Sequence, residues 1–146
     1  MITYTRARQI ARTPDEVFDF VTDQANLPTW SPEVVRSEVV GGGEIEVGSI
    51  LRQVRMNKGK EMTTEVEVVA HERPCLHAVK TRVFSVDATF EFTFRDEDGV
   101  TRAQMKATVE GRWFGVFLEK TMARMMEAAD ALAMTRLKEV LEGTAD

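Results

Sequence analysis

Hydrophobic and polar residues alternate through most of this chain, and the alternation gives way to a helical period near its end. The first segment, Ile2 to Ile10, is typical of a strand. Three later strands each place apolar side chains on one face and charged or polar ones on the other. The apolar faces consist of Met62, Thr64, Val66 and Val68; of Ala88, Phe90, Phe92 and Phe94; and of Ala103, Met105, Ala107 and Val109. The pattern therefore predicts an antiparallel sheet covered on one side only.

Short glycine-containing segments predict how the strands are connected. Gly41-Gly42-Gly43 lies between one strand from Val34 to Val40 and another from Ser49 to Asn57. Lys58-Gly59 and Asp96-Glu97-Asp98-Gly99 each predict a hairpin, because such residues favour tight turns between antiparallel strands. These connections make the middle of the chain a meander.

The strand that follows the glycine run leaves two orientations open. In the first, the inward side chains are Ile50, Val54 and Met56. In the second, Leu51 points inward together with Gln53 and Arg55. The alternation of the residues is compatible with both orientations.

Helices are predicted near the start of the chain and at its end. The segment Thr13 to Glu16 fits a capping box with proline in the first helical position. Prolines on either side of Trp30 interrupt the next helical turn. From Phe114 to Leu141 apolar residues recur with a helical period, which predicts a helix about 40 Å long. The apolar face of the sheet is the surface that can cover this helix.

Length and charge limit the kinds of partner. A chain of 146 residues has the size of one domain, so we expect residues 1–146 to fold together. The net charge of −5 argues against nucleic acid or an anionic membrane as the main partner. Arg6, Arg8 and Arg12 form a local basic cluster, which a solvated strand face explains more simply than a phosphate site. With neither a signal peptide nor an apolar stretch of about 20 residues, a cytoplasmic location without membrane insertion is expected.

Few side chains are candidates for catalysis. Cys75 is the single cysteine, and as a nucleophile it would need His71 or His77 as a partner; a structural thiol is the favoured interpretation. For each histidine, a role as a hydrogen-bonded structural residue is favoured over a general base. Their spacing fits no zinc pattern, and the glycine run lacks the features of a phosphate loop. The sequence therefore predicts no metal and no cofactor, and the catalytic residues stay unknown.

Several segments resemble a known superfamily. They are Thr13 to Asp23, Asn26 to Pro32, Val47-Gly48-Ser49 opening a strand, Glu67-Val68-Val69 closing one, and the turn Arg73-Pro74. Together with the order of elements, they resemble the START-like or SRPBCC superfamily, the polyketide cyclase/dehydrase and lipid-transport group. The resemblance implies an α+β helix-grip fold: a curved antiparallel sheet of about seven strands around a long C-terminal helix, with two short helices after the first strand. It also implies an apolar cavity between sheet and helix, but no shared catalytic set.

Residues expected to line that cavity follow from the predicted inward faces. Small inward residues leave space, and flexible methionines on the long helix can adapt to a ligand. The predicted lining consists of Phe18, Trp30, Met62, Val66, Ala88, Phe90, Phe92, Ala103, Met105, Ala107, Phe117, Met122, Met125 and Met126.

Three classes of function stay open at this point. The leading one is a carrier for a small hydrophobic ligand, aromatic, polyketide-like or lipid, which an all-apolar cavity would favour. The second is a cyclase or dehydratase type of enzyme, which a pair of polar residues deep in the cavity would favour. The third is a protein-interaction module, which a filled cavity and an exposed apolar patch would favour. The oligomeric state is open and includes a homodimer.

Overall fold

Seven antiparallel strands and three α-helices make up residues 1–143, the part of the chain that the computed structural model describes, apart from the side chain of Phe114. The strands are β1 (Ile2–Ile10), β2 (Val34–Val39), β3 (Ile50–Asn57), β4 (Lys60–Glu72), β5 (Leu76–Val83), β6 (Val86–Glu97) and β7 (Val100–Gly111). The helices are α1 (Pro14–Thr22), α2 (Leu27–Trp30) and α3 (Glu119–Glu142), with 3₁₀ turns at Gln24–Asn26 and Trp113–Phe117. The sheet order is β1-β7-β6-β5-β4-β3-β2. The predicted α+β helix-grip fold is confirmed.

The predicted capping box forms at the start of α1. The Glu16 backbone N–H donates to Thr13 Oγ1 at 3.2 Å, and the Thr13 N–H donates to Glu16 Oε1 at 3.3 Å. These two bonds satisfy donors that the first helical turn leaves unpaired. Val17 and Phe18 are buried on the inner side of the helix, so α1 is held by packing as well as by its cap.

The structure shows which of the two predicted orientations β3 adopts. It also shows that β4 is longer than predicted. The second alternative is right, because Leu51 and Gln53 are buried and Arg55 is half-buried, although Val54 is buried too. β4 continues past Val69, where the sequence pattern ended it, to Glu72. A register shift between Val68 and Ala70 lets β4 keep pairing with β5 beyond the expected end.

The long helix begins later than predicted, at Glu119 rather than Phe114. The preceding residues form a 3₁₀ turn in which Trp113 has a φ of 53°. Gly115 packs directly on the backbone of the β5–β6 turn, where an added Cβ would lie 2.2 Å from the Ser85 carbonyl oxygen. This close approach fixes the path of the chain, so the α-helix starts only after it.

Two of the three clustered arginines are not on a solvated face, so that expectation is wrong for them. Arg6 and Arg8 lie on the same face of β1 as Tyr4 and Ile10, which are buried. Arg6 Nη2 lies 2.6 Å from Glu127 Oε1 of α3, and Arg8 donates to Thr135 Oγ1 at 3.1 Å. The arginines therefore join β1 to the long helix.

Candidate functional site

A cavity of about 90 Å³ lies between the sheet and the helices α2 and α3. Most of its wall is apolar, and it includes two aromatic rings from β6 and one from α2. The apolar lining residues are Val21, Leu27, Trp30, Leu51, Val79, Phe90, Phe92, Met105, Ala133 and Met134. The polar ones are Gln24, Ser31, Glu33, Gln53, Arg55, His77 and Asp130.

A carboxyl group on α3 forms one polar part of the wall. Tyr4 Oη on β1 donates to Asp130 Oδ2 at 2.5 Å. Burial raises the pKa of Asp130 to about 6, although the bond from Tyr4 and the charge of Arg55 act in the opposite direction. The sequence pattern had put Asp130 on the wet side of the helix, and this was wrong because β1 brings a hydroxyl donor to it. Asp130 therefore changes its charge near neutral pH.

His77 forms a second polar part and pairs with His71. The two residues lie opposite each other on β5 and β4, with their Nδ1 atoms 3.1 Å apart. Burial, with a smaller contribution from the neighbouring His71, lowers the pKa of His77 to about 4. Burial also lowers the pKa of His71. Both rings are thus neutral near pH 7, one donating and the other accepting, which agrees with the expected hydrogen-bonded role.

Trp30 presents a hydrogen-bond donor without a partner. Its side chain is 5% exposed, and its Nε1–H is buried with no acceptor among residues 1–143. The indole packs edge-on against Phe92, with ring centroids 6.2 Å apart. Buried N–H groups are nearly always paired, so this unpaired donor is an unusual feature of the residue.

An ion pair lies at the more exposed side of the cavity. Arg55 Nη1 is 2.5 Å from Glu33 Oε1, and Arg55 Nη2 donates to Gln53 Oε1 at 2.8 Å. Glu33 is exposed and Arg55 half-buried, whereas Gln53 is buried. We call Glu33 and Arg55 the mouth pair, because they connect the cavity to the surface.

The predicted lining is only partly brought together. Four of its members line the cavity: Trp30, Phe90, Phe92 and Met105. Others lie in the packed interior outside that lining: Phe18, Val66, Ala88, Ala103 and Ala107 are buried, and Met122 and Met126 pack on the main core. Phe18 instead contacts His71, with ring centroids 5.2 Å apart.

Three predicted lining residues are wrong because they lie at the surface. Phe117, 85% exposed, belongs to the 3₁₀ turn before α3 rather than to the helix. Met125 is 60% exposed on α3, and Met62 is 38% exposed near the β3–β4 hairpin. The apolar pattern marked these residues as inward, but it does not show where the helix begins or how far it covers the sheet.

The other candidate residues for catalysis or metal binding do not form a site in residues 1–143. Cys75 is exposed in the turn between β4 and β5 and does not line the cavity. Within residues 1–143, no three His, Cys, Asp or Glu side chains group closely enough to hold a metal ion. Over the same residues, no helix has the length and apolar character needed to cross a membrane.

Comparison with known proteins places this site in a family context. Residues 1–142 match a family model described as polyketide cyclase / dehydrase and lipid transport. The chain belongs to this family. The START-like resemblance seen in the sequence is thereby confirmed. No curated protein matches this chain.

Solved structures similar to this family member share its fold. Protein TTHA0849 from Thermus thermophilus is 20% identical, with a TM-score of 0.76, and the match covers 99% of this chain and 100% of that one. The ZhuI aromatase/cyclase from Streptomyces sp. R1128 is 11% identical, with a TM-score of 0.77 and coverage of 97% and 93%. A START superfamily protein from Mycobacterium smegmatis is 15% identical, with a TM-score of 0.68 and coverage of 94% and 98%. At these identities the likeness concerns the fold alone.

Proposed function

We propose that this protein binds a small aromatic molecule in the cavity beneath α3 and acts as its carrier. The observation that supports this most is the composition of the wall, where the rings of Trp30, Phe90 and Phe92 belong to ten apolar residues beside seven polar or charged ones. Ligand sites in proteins typically combine an apolar, aromatic wall with a small number of polar groups that orient the ligand. The family's description, which names lipid transport and polyketide chemistry, is compatible with such a ligand.

The volume of the cavity limits the size of the ligand. A cavity of about 90 Å³ is smaller than the roughly 150 Å³ of an engineered cavity that binds benzene. A ligand of one or two rings therefore enters only if neighbouring side chains move slightly. Met105 and Met134 line the space, and their flexible thioethers allow such adjustment. A tricyclic ligand would require the mouth pair to separate as well.

The proposal is tested by filling the cavity from the helix side. Ala133 lines the cavity, so Ala133→Leu places three extra carbons in it. Ala123 is buried on the same helix but does not line the cavity, so Ala123→Leu serves as the matched control. We expect 2-naphthol, followed by its fluorescence, to bind the wild type with a Kd on the order of 10 µM. Ala133→Leu should weaken binding at least about tenfold, and Ala123→Leu about twofold or less. Equal binding by all three proteins would contradict the proposal.

An enzymatic role is the second candidate, because the cavity is not all apolar: His77 and Asp130 both line it, and a pair of polar residues is the feature expected of an enzyme. Asp130, with a pKa of about 6, and the neutral His77 both line it, and perturbed pKa values are typical of acid–base residues. Under this alternative, the protein would accelerate cyclisation or dehydration of a poly-β-ketone. Asp130→Asn should then lower the rate about 100-fold or more. A rate equal to the spontaneous reaction in the wild type would exclude this alternative for the substrate tested.

The interaction module is less well supported. Phe84, Trp113 and Phe117 are indeed 72%, 88% and 85% exposed. The cavity, however, is not filled, and a filled cavity was the other condition for this class.

A further inference from the structure

We infer that the ligand carries a protonated amine, which binds the carboxylate of Asp130. This inference rests on the proposed function and adds the chemical class of the ligand, an aromatic molecule with an ammonium group. It starts from the charges in the wall, where the carboxylates of Glu33 and Asp130 stand against the guanidinium of Arg55. His77 adds no charge near pH 7. An ammonium ion would therefore balance the excess of negative charge in the wall.

One carboxylate oxygen of Asp130 is left for a ligand. Oδ2 accepts the hydrogen bond from Tyr4, which does not line the cavity. Oδ1 has no hydrogen-bond partner within residues 1–143. Over the same residues, the unpaired side-chain atom that is sealed from solvent is Trp30 Nε1, not an oxygen of Asp130. Oδ1 is therefore both unpaired and accessible.

The neighbouring charges relate this oxygen to the cavity. Glu33 and Arg55, which line the cavity, both act on the pKa of Asp130, the first raising it and the second lowering it. Tyr4 holds the other oxygen towards β1. Because Asp130 itself lines the cavity, its unpaired oxygen belongs to the wall that it shares with the mouth pair.

The cations near Asp130 already have partners. Arg55 is bonded to Glu33 and to Gln53. Arg6 on β1 also lowers the pKa of Asp130, but its guanidinium is bonded to Glu127. A cation brought by the ligand would therefore meet a carboxylate without displacing an existing ion pair.

The surroundings of Asp130 favour a cation over an anion. Burial raises the pKa of Asp130 to about 6, because its negative charge lacks the stabilisation that water would give. An ammonium ion would supply that stabilisation. The rings of Trp30, Phe90 and Phe92 line the same space, and aromatic rings attract cations to their faces. An anionic ligand would instead meet two carboxylates.

Four ligands with one bicyclic skeleton test the role of charge. Indane, indan-2-ol, 2-aminoindane and indane-2-carboxylate differ at a single carbon, and calorimetry at about pH 7.5 keeps both Asp130 and the amine ionised. We expect 2-aminoindane to bind the wild type about tenfold more tightly than indane, because an ion pair with a partly buried carboxylate is gained. Indan-2-ol should lie between them, and the carboxylate should bind more weakly than indane.

Two variants that remove one carboxylate each separate contact from the overall charge. Asp130→Asn keeps the size of the side chain in the cavity wall. Glu127→Gln removes the same charge about one turn earlier on α3, at a residue that does not line the cavity. The preference for 2-aminoindane over indane should fall to about twofold or less in Asp130→Asn and stay near tenfold in Glu127→Gln. Comparing two ligands within each protein cancels changes in the cavity itself.

The carboxyl group itself gives a second readout. Carbon-13 nuclear magnetic resonance of aspartate carboxyls follows the charge of Asp130, whose signal is identified by its loss in Asp130→Asn. Saturating 2-aminoindane should lower the pKa of Asp130 by about one, since this change corresponds to a tenfold preference for the ionised form. Indane should not lower it. A carboxyl group with a purely structural role would respond alike to both ligands.

The possible results have distinct meanings. If indane and 2-aminoindane bind equally well, or if the preference survives in Asp130→Asn, the amine inference is overturned while the carrier proposal stands. Binding of indan-2-ol or of the carboxylate as tight as that of 2-aminoindane would also overturn it, and so would an equal loss of preference in Glu127→Gln. If none of the four ligands binds the wild type, the proposed function itself fails.

Discussion

The two halves of the sheet's inner face are filled in different ways. Under β1, β7 and the adjoining part of β6, the long helix packs closely, and Ala103, Ala107 and Leu137 are fully buried. Under β3 and β5, buried polar residues such as Gln53 and His77 surround the cavity. The first half is a packed core, and the second is hollow.

This difference shows that small side chains do not by themselves create a cavity. Ala103 and Ala107 were expected to leave space, but neither lines the cavity. Where β7 carries alanine, neighbouring side chains can pack closely against the strand, so the space closes. The cavity instead lies where Gln53, His77 and Asp130 bring polar ends inward, because such ends need partners and cannot simply be packed against apolar neighbours. In this chain the hollow region follows the inward polar groups.

The test with the largest expected effect replaces one leucine by alanine in each half of the inner face. Leu137, 0% exposed, belongs to the packed core, whereas Leu51, 1% exposed, borders the cavity. We expect Leu137→Ala to lower the free energy of unfolding by about 4 kcal/mol and Leu51→Ala by about 2–3 kcal/mol, because Leu51 has fewer packing neighbours to lose. Urea unfolding of the three proteins measures both values.

The control for this comparison is a leucine at the surface. Leu132 lies on the same helix as Leu137 and is 54% exposed, so Leu132→Ala should change the free energy of unfolding by about 0.5 kcal/mol or less. Equal losses at Leu137 and Leu51 would mean that the two halves are packed alike, and the contrast would be lost.

The next test uses pH. Two groups of the hollow half should change the free energy of unfolding in opposite directions as the pH falls. His77 has a lowered pKa of about 4, so the unfolded chain takes up its proton first and stability falls as pH drops from 6.5 to 4. Asp130 has a raised pKa of about 6, so the folded protein takes up its proton first and stability rises as pH drops from 6 to 4. Each effect is worth about 2–3 kcal/mol, and in the wild type they largely cancel.

Replacing one of these two groups at a time should reveal the pH effect of the other. In Asp130→Asn only the histidine effect remains, so the free energy of unfolding should exceed that of the wild type at pH 7 and fall by about 2–3 kcal/mol towards pH 4. In His77→Gln it should rise by a similar amount over the same interval. Unfolding in urea at pH 7, 5.5 and 4 checks this, and comparison with the wild type removes the contribution of surface carboxylates. Parallel pH profiles for all three proteins would show that neither group is perturbed.

Much of the fold could be predicted from the sequence, because local signals determine it. The capping box at Thr13 and the hairpins at Lys58-Gly59 and Asp98-Gly99 depend on neighbours along the chain, and all are found as predicted. The period-two alternation identified the inward face of β7, where Ala103 and Met105 are buried. Such features need no knowledge of distant contacts.

The cavity was harder to predict, because distant residues decide its lining. Asp130 faces inward only because Tyr4, 126 positions away, donates to it. The helix starts at Glu119 because Gly115 meets the backbone of the β5–β6 turn. Tyr4 on the apolar face of β1 was the available signal, since a buried tyrosine hydroxyl needs a polar partner. No periodic pattern contains that information.

The smallest expected effect concerns the mouth pair, which borders the hollow half but faces solvent. The Glu33 and Arg55 side chains are 47% and 30% exposed, so water screens their attraction even at 2.5 Å. Arg55→Gln should therefore lower the free energy of unfolding by less than about 1 kcal/mol, with Arg52→Gln, which breaks the exposed pair with Glu65, as the control. A mouth that restricts entry should still affect kinetics, so we expect 2-naphthol to associate several-fold faster with Arg55→Gln than with Arg52→Gln in stopped-flow measurements. A loss of about 3 kcal/mol at Arg55 would instead show that the pair is part of the packed structure, and the boundary between the two halves would have to be moved.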